Sequence, residues 1–534
     1  MKRSRFGIRM LAAIGAAALL AGASGCKPDS SAPAASQGEK DEFDLAAEQL
    51  AAAVEKPEEI NGGEPVTIRV HLNSLMPSLN AEPTAEQPDV FNSTRIIEKA
   101  FKILHPNVTI EWQRNVDTSS AENLLQYLTT QLRSNTAPDL LFAWGSSLSN
   151  EGWYYDFTDA MNQPNPYVKD NAKWRDQFPD YVFNSWQVSD CNNRIVSVPM
   201  TLAPGTSTAL YVNKAIVEET GVELPRTWEE LFTATETIRD KGYIGFAPWG
   251  EAGSGNRLVT IKVWDIQFSL AHFFMEKVKE RFDYNGDGAQ DQNEKMRAAY
   301  EGRYLLTENE YAREIYRQVK RKYTDCMEPG YENTDYNSKW IVGKLAFQED
   351  GLWRYPKEMS KTNRKFEFDI IPPVAVSTDT TDLVNELQYT EKGPSRPAVS
   401  ESFNILLPSA EAHGGEPVIE ACTRLLQFMS VPEVNELFIT ELAGAGISFL
   451  AGSKVPQQLT AYFEKSFPIT PPYEWYSGYN NASVERLSKI LELWVKGSLS
   501  DEEFYSQFDA EMKKDIEEYV AMMQVDTTGW TKGW

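Results

Sequence analysis

Val66-Thr-Ile-Arg-Val70 alternates apolar and polar side chains, the period of a strand with one face in a core. Reading outward, Ile97, Ala100, Phe101 and Leu104 recur at helical spacing and stop before Pro106. Val108-Thr-Ile-Glu-Trp112 alternates again. Ser119 and Glu122 stand three apart, the spacing of a capping box, ahead of an apolar stripe of Leu124, Leu125, Leu128 and Leu132. Leu140-Leu-Phe-Ala143 is a third strand. Strand, helix, strand, helix, strand predicts parallel α/β packing.

The same pattern resumes downstream. Thr206 to Val212 is strand-like, and Thr227 with Glu230 caps a helix carrying Trp228, Leu231, Phe232 and Ile238 that ends at Gly242. Ile244 to Ala247 and Phe403 to Leu407 are further apolar strands. Ser500 and Glu503 cap a last helix with Phe504, Phe508, Met512 and Ile516 aligned. No internal repeat stands out.

The chain has 534 residues and a formal net charge of −25. A surface that acidic repels phosphate backbones, which argues against nucleic acid and for a neutral or cationic ligand. Histidines 71, 105, 272 and 413 are scattered, with no HExxH, so no histidine-built zinc site is expected. Of the four cysteines, Cys26, Cys191, Cys326 and Cys422, no two form a CxxC. Stability must come from the core rather than a disulfide framework. Pairing among Cys191, Cys326 and Cys422 is open at this level.

The amino terminus has the grammar of an export signal: Lys2, Arg3, Arg5 and Arg9, an apolar run from Met10 to Ala23, then Ser24-Gly25-Cys26. The run is short for a membrane span. It resembles the lipobox of bacterial lipoproteins, in which the chain is cleaved before the cysteine and lipidated on it. Ala23 stands where the usual motif has Leu. The resemblance implies a body held outside the cytoplasm, anchored to the cell membrane through Cys26.

Several segments resemble the extracellular solute-binding proteins of bacterial carbohydrate ABC transporters, family 1, the maltodextrin-binding type. They are Ala137-Pro-Asp-Leu-Leu-Phe-Ala-Trp-Gly145, Ala209-Leu-Tyr-Val-Asn-Lys214 with Gly221-Val-Glu-Leu-Pro-Arg-Thr-Trp-Glu-Glu-Leu231, Gly343-Lys-Leu-Ala-Phe347 with Gly351-Leu-Trp353, Phe368-Asp-Ile-Ile-Pro-Pro373, and Gly497-Ser-Leu-Ser-Asp-Glu-Glu503. Val212 replaces the family's second Tyr, and insertions fall near 280–335 and 374–399. The resemblance implies an α/β, two-lobed periplasmic-binding-protein fold, type II-like, with a hinge and an interlobe cleft. The expected division is a signal peptide at 1–25, a flexible tether at 26–64, within which Phe43, Ala47, Leu50 and Val54 have the spacing of a short helix, and the N-terminal lobe from 65–207. The C-terminal lobe follows at 208–366, with a return to the N-terminal lobe over 367–440 and C-terminal-lobe helices over 441–534.

Sugars offer hydroxyls and weakly apolar ring faces, so binding them calls for flat aromatic platforms with fixed polar groups. Trp144 follows a strand, Trp249 follows strand 244–247 and precedes Glu251, and Trp353 follows a turn containing Asp350. Trp475, between Tyr473 and Tyr476, is a further candidate. Glu251 and Asp350 would accept hydroxyl hydrogen bonds. Most large aromatics sit in cores, so each tryptophan has a plain packing alternative. A cationic ligand would use the same combination of tryptophan and acid.

Asp283-Tyr-Asn-Gly-Asp-Gly-Ala-Gln-Asp-Gln-Asn-Glu294 matches D-x-[DN]-x-[DN]-G-x5-E. Oxygens of Asp283, Asn285, Asp287, Ala289 (backbone), Asp291 and Glu294 fall at the ligand positions of a calcium loop, and Gly288 permits its sharp turn. Gln290 stands where paired EF-hands carry an aliphatic residue, so the expectation is a single, structural calcium ion. The alternative is an acidic surface turn without metal.

No GxSxG or P-loop occurs. The expected function is a monomeric, surface-anchored binding lipoprotein that captures a carbohydrate, an oligosaccharide, by cleft closure and delivers it to an ABC permease. A sugar-sensing subunit for a membrane receptor, or a secreted carbohydrate-active enzyme, would share many of these features.

Overall fold

The computed structural model describes residues 41–82, 90–203, 209–248, 282–331, 334–351, 354–360, 363–372, 374–384, 398–441, 476 and 478–534. The leader, Cys26, Trp249, Glu251, Trp353 and Trp475 lie outside the described residues.

The strand β1 (Val66–His71) pairs in parallel with β2 (Val108–Trp112) on one side and β3 (Leu140–Leu141) on the other. Val66, Ile68 and Val70 are buried in the largest core of this sheet, which also takes Ile97 and Phe101 of α2 (Ser93–Leu104). The sheet is completed by β9 (Ala398–Ile405), antiparallel to β3, and β4 (Val198–Ala203), antiparallel to β9. Its other face carries a smaller cluster built on Leu124 and Leu128 of α3 (Ala121–Arg133).

The second sheet has the order β6-β7-β5-β8. Here β5 (Ala209–Asn213) is central and antiparallel to both β7 (Leu345–Asp350) and β8 (Phe368–Ile371), while β6 (Ile244–Ala247) runs parallel to β7. The helix α5 (Trp228–Asp240) is held by the expected Thr227/Glu230 capping box and packs Trp228 and Leu231 into the core. It follows α4 (Lys214–Thr220). Two late helices, α13 (Asn481–Val495) and α14 (Asp501–Met522), return to this lobe. Trp494 stacks on Phe504 with centroids 4.1 Å apart and rings 4° from parallel. The chain crosses between sheets from β4 to β5 and again from β8 to β9, which is the expected two-lobed α/β arrangement.

Several expectations are corrected. Residues 42–53 form a helix, α1 (Glu42–Ala53), with Ala47, Leu50 and Ala51 buried, and Lys99 of α2 bridges Asp41 and Asp44 at 3.1 and 2.6 Å. The stretch 41–64 expected to be tether therefore belongs to the first lobe. Its apolar helical positions find a partner in α2, which composition could not reveal. The cap of α3 is Ser120, which accepts from the Asn123 amide at 3.1 Å, because Asp117 engages the amide and hydroxyl of Ser119. The return to the first lobe comes at β9 rather than at 367, since Val374, Ala375, Val376 and Val384 are buried in the second-lobe core. The expected strand 140–143 makes ladder pairs only at Leu140 and Leu141. Cys191, Cys326 and Cys422 are all buried and free.

The lobes also touch outside the strand crossovers. The loop from Asn184 to Asn193 meets α6 (Gln292–Tyr300) and the end of α14. Gln292 Nε2 donates to Asn184 O at 2.7 Å, Asn293 Nδ2 to Cys191 O at 3.0 Å, Asn193 Nδ2 to Asp291 Oδ2 at 2.9 Å, and Asn192 Nδ2 to Met523 O at 3.0 Å. Cys191 is buried in the second-lobe core.

Candidate ligand-binding site

In open α/β sheets, ligands bind beyond the carboxyl ends of the parallel strands, where backbone groups and loop side chains converge. In the first lobe that rim is made by the residues after β1 and β3, the start of β9 and the end of β4. Asn73 and Trp144 both sit there with positive φ, +47° and +55°. Such backbone is rare for non-glycine residues and concentrates at functional sites. Gly145 follows, at φ +60°, where a Cβ would lie 2.4 Å from the Gln187 Cα, so only glycine fits this turn.

Hydrogen bonds join these pieces. The Trp144 indole N–H donates to Thr118 O at 3.1 Å, and the Thr118 hydroxyl to Asn73 Oδ1 at 3.1 Å. The Ser74 hydroxyl donates to Glu401 Oε1 at 2.6 Å, with Asn73 Nδ2 3.5 Å from the same oxygen. Trp144 is half-buried and edge-on to Phe142 at 5.2 Å. Glu401 is 8% exposed, and burial raises its carboxyl to about 7, against the smaller lowering influence of Ser74 and Asn73.

In the second lobe, Asp350 ends β7 at the corresponding rim. Its Oδ2 accepts from Arg354 Nη1 at 2.8 Å and its Oδ1 from the Gly351 amide at 2.7 Å. Burial raises the Asp350 carboxyl, with Arg354 opposing. Arg354 opens α9 (Arg354–Ser360) and donates Nε to Glu358 at 2.9 Å. Glu358 also accepts the Trp340 indole N–H at 2.9 Å and pairs with Arg364 at 3.4 Å. Asp350 thus reaches the expected rim with one oxygen committed to a guanidinium.

The loop 283–294 is tightly turned. Asp283 accepts from the amides of Gly286 and Gly288 at 2.7 and 2.9 Å, Asn285 from that of Asp287 at 2.8 Å, and Asp287 from that of Ala289 at 2.9 Å. Asp291 is the N-cap of α6, and Glu294 reaches back to the amides of Tyr284, Asn285 and Asp291. Gln290 points inward and donates to the Tyr304 hydroxyl at 3.1 Å. Among the described residues, no group of three or more His, Cys, Asp or Glu side chains is gathered as a metal cluster.

The model of the family described as bacterial extracellular solute-binding protein matches residues 92–391. The chain belongs to this family. As a solute-binding protein it works outside the cytoplasm. Among curated proteins none matches it. It is similar to several solved structures at low identity. A chitin oligosaccharide binding protein is 13% identical at a TM-score of 0.55, over 85% of this chain and 99% of that one. A cyclic alpha-maltosyl-1,6-maltose binding protein from Arthrobacter globiformis is 14% identical at 0.54, over 85% and 100%. A family 1 extracellular solute-binding protein from Bifidobacterium longum subsp. infantis is 14% identical at 0.53, over 84% and 100%. These likenesses give the solute-binding protein its two-lobed fold.

Of the site residues expected from sequence, the structure places Trp144 on the first-lobe rim and Asp350 on the second. Asn73, Ser74, Thr118 and Glu401 were missed. Three of them are ordinary polar residues, Asn73 and Ser74 in a single 3-10 turn after β1 and Thr118 in a loop. Glu401 did carry a signal, since it interrupts the alternate-residue row Val399, Phe403, Ile405, all of them buried core residues.

Proposed function

We propose that this solute-binding protein captures a carbohydrate, an oligosaccharide, between its lobes and hands it chemically unchanged to an ABC permease. The observation that carries the reading is the first-lobe rim. A half-buried indole is held in strained backbone beside Asn73, Ser74, Thr118 and Glu401, the pairing of flat apolar face and fixed polar groups that a sugar requires. The ligands named for the similar structures, chitin oligosaccharide and cyclic maltosyl-maltose, are of this class. The net charge of −25 suits a neutral or cationic ligand. Contacts to both lobes favour a closed form that is the minor one without ligand. Anchoring through Cys26, supported by the leader sequence, and a monomeric state complete the proposal.

Titration calorimetry against linear and cyclic oligosaccharides tests it. Micromolar binding of at least one, with no product formed over hours, is expected. Cleavage of the sugar would instead make the protein an enzyme.

Calcium in the loop 283–294 belongs to the same proposal. Its support is the complete set of oxygen-bearing residues at the ligand positions, together with glycines at φ +76° and +85° where the loop turns. Chelation is expected to lower the melting temperature and calcium to restore it. Indifference to chelator would leave the loop as a turn closed by its own amides.

A further inference from the structure

The strand β9 presents two rows of side chains. Ser402 and Asn404 point to one face, where they donate to Gln187 O at 3.0 Å and to Gly145 O and Val196 O at 3.0 and 2.8 Å. Val399, Phe403 and Ile405 form the other row, inside the first-lobe core. By simple alternation along the sequence Glu401 would fall in that apolar row, although the ladder to β4 shifts register on both sides of it. Evolution of a strand for packing alone would place an aliphatic residue there.

Three further features converge on this position. The β4–β9 ladder slips at Thr201, opposite Glu401, and the Glu401 amide donates to the Thr201 hydroxyl at 3.1 Å instead of to a carbonyl. Such bulges re-aim side chains near sites. Asn73, in left-handed backbone, and Ser74 both turn toward Glu401 Oε1. Oε2, in contrast, is buried and has no hydrogen-bond partner among the described residues. A buried carboxyl oxygen without a donor is costly, and proteins keep such groups where something else supplies the donor.

We propose that Oε2 of Glu401 receives a hydrogen bond from the bound ligand, through a hydroxyl or a protonated amino group, making Glu401 a specificity-determining contact of the first-lobe rim. The inference rests on the reading of that rim as the sugar site. Ser74 and Asn73 hold the carboxyl from one side, so its second oxygen is fixed in direction before the ligand arrives, which lowers the ordering cost of binding. Loss of a hydrogen bond to a rigid, buried partner weakens affinity more than loss of a surface contact.

The test uses the whole protein and its Glu401→Ala and Glu401→Gln variants. The probes are maltotriose, xylotriose, N,N′-diacetylchitobiose and the diamine chitobiose, read by calorimetry alongside melting temperature. The expected result is a tenfold or greater loss of affinity in Glu401→Ala with an unchanged or raised melting temperature. Partial retention by Glu401→Gln on a neutral sugar assigns the donor as hydroxyl. Binding of the diamine alone, lost in both variants, assigns it as ammonium. Affinity of Glu401→Ala within twofold of the parent overturns the proposal while the sugar site stands. A parallel fall in affinity and melting temperature overturns it in favour of a structural role. A parent protein that binds none of the probes removes the sugar reading and this contact with it.

Discussion

Trp144 spends its indole N–H on Thr118 and leaves its ring half-buried, so the ring is the part available to a ligand. Trp144→Ala is expected to weaken sugar binding about tenfold, about 1.4 kcal/mol, with little change in melting temperature. A large drop in melting temperature at intact affinity would return the ring to the core. Two buried titratable groups in the first lobe set opposite pH slopes. Burial lowers His105, beneath the Tyr167 hydroxyl at 2.6 Å, from 6.5 to about 4. Between those values the unfolded chain binds more protons than the folded one, so His105 makes stability rise with pH. Glu401, raised from 4.5 to about 7, does the reverse: the folded state holds its proton longer, and stability falls as pH rises through that window. Where the windows overlap the slopes offset. Glu401→Gln removes one of them, so its gain over the parent should be near zero at pH 4 and grow to at most about 3 kcal/mol at pH 8. Urea unfolding at both pH values checks this. An equal difference at both would show that the carboxyl titrates normally.

At the scale of elements, the second-lobe rim depends on one carboxylate. Glu358, fully buried on α9, faces Arg354, Arg364 and the Trp340 indole. Arg354 in turn fixes Asp350. Glu358→Leu leaves two buried guanidiniums under-compensated and is expected to cost about 3–5 kcal/mol in urea unfolding. A cost below about 1 kcal/mol would mean that Asp350 is held by other means. Elements were legible where local chemistry decides them. The Thr227/Glu230 and Ser500/Glu503 boxes cap their helices as read, and β1 and β2 show their period. What sequence could not show was set by distant partners. The helical spacing of α1 was legible, but its packing on the body was not, because its partner α2 lies some 50 residues on. Trp144 was legible as an aromatic after a strand. Glu401 was legible only as a charge in an apolar stretch; its partners were not, because they depend on a register slip against β4 and on a turn after β1, which only the folded sheet brings together.

For the whole molecule, closure of two lobes requires a part that stays put. The passages of the chain from β4 to β5 and from β8 to β9 join the lobes on one side. The loop from Asn184 to Asn193 supplies a second junction, because Cys191 is embedded in the opposite lobe's core and four side-chain amides stitch its surroundings to α6 and α14. A contact that deep would have to break to let the lobes part along it. It is therefore expected to persist in open and closed forms and to confine the motion to rotation about this side. The capping residue of α6, Asp291, is also the ninth residue of the loop 283–294, so this contact and the acidic loop share a residue. Asn193→Ala and Asn293→Ala are each expected to cost about 1 kcal/mol of stability. Ligand affinity should stay within about twofold, because a contact made equally in both states does not bias the equilibrium between them. Small-angle scattering should show the same contraction on ligand addition in parent and variants. If affinity instead fell tenfold while the melting temperature held, the contact would belong to the closed form alone, and the pivot would have to lie in those two passages of the chain by themselves.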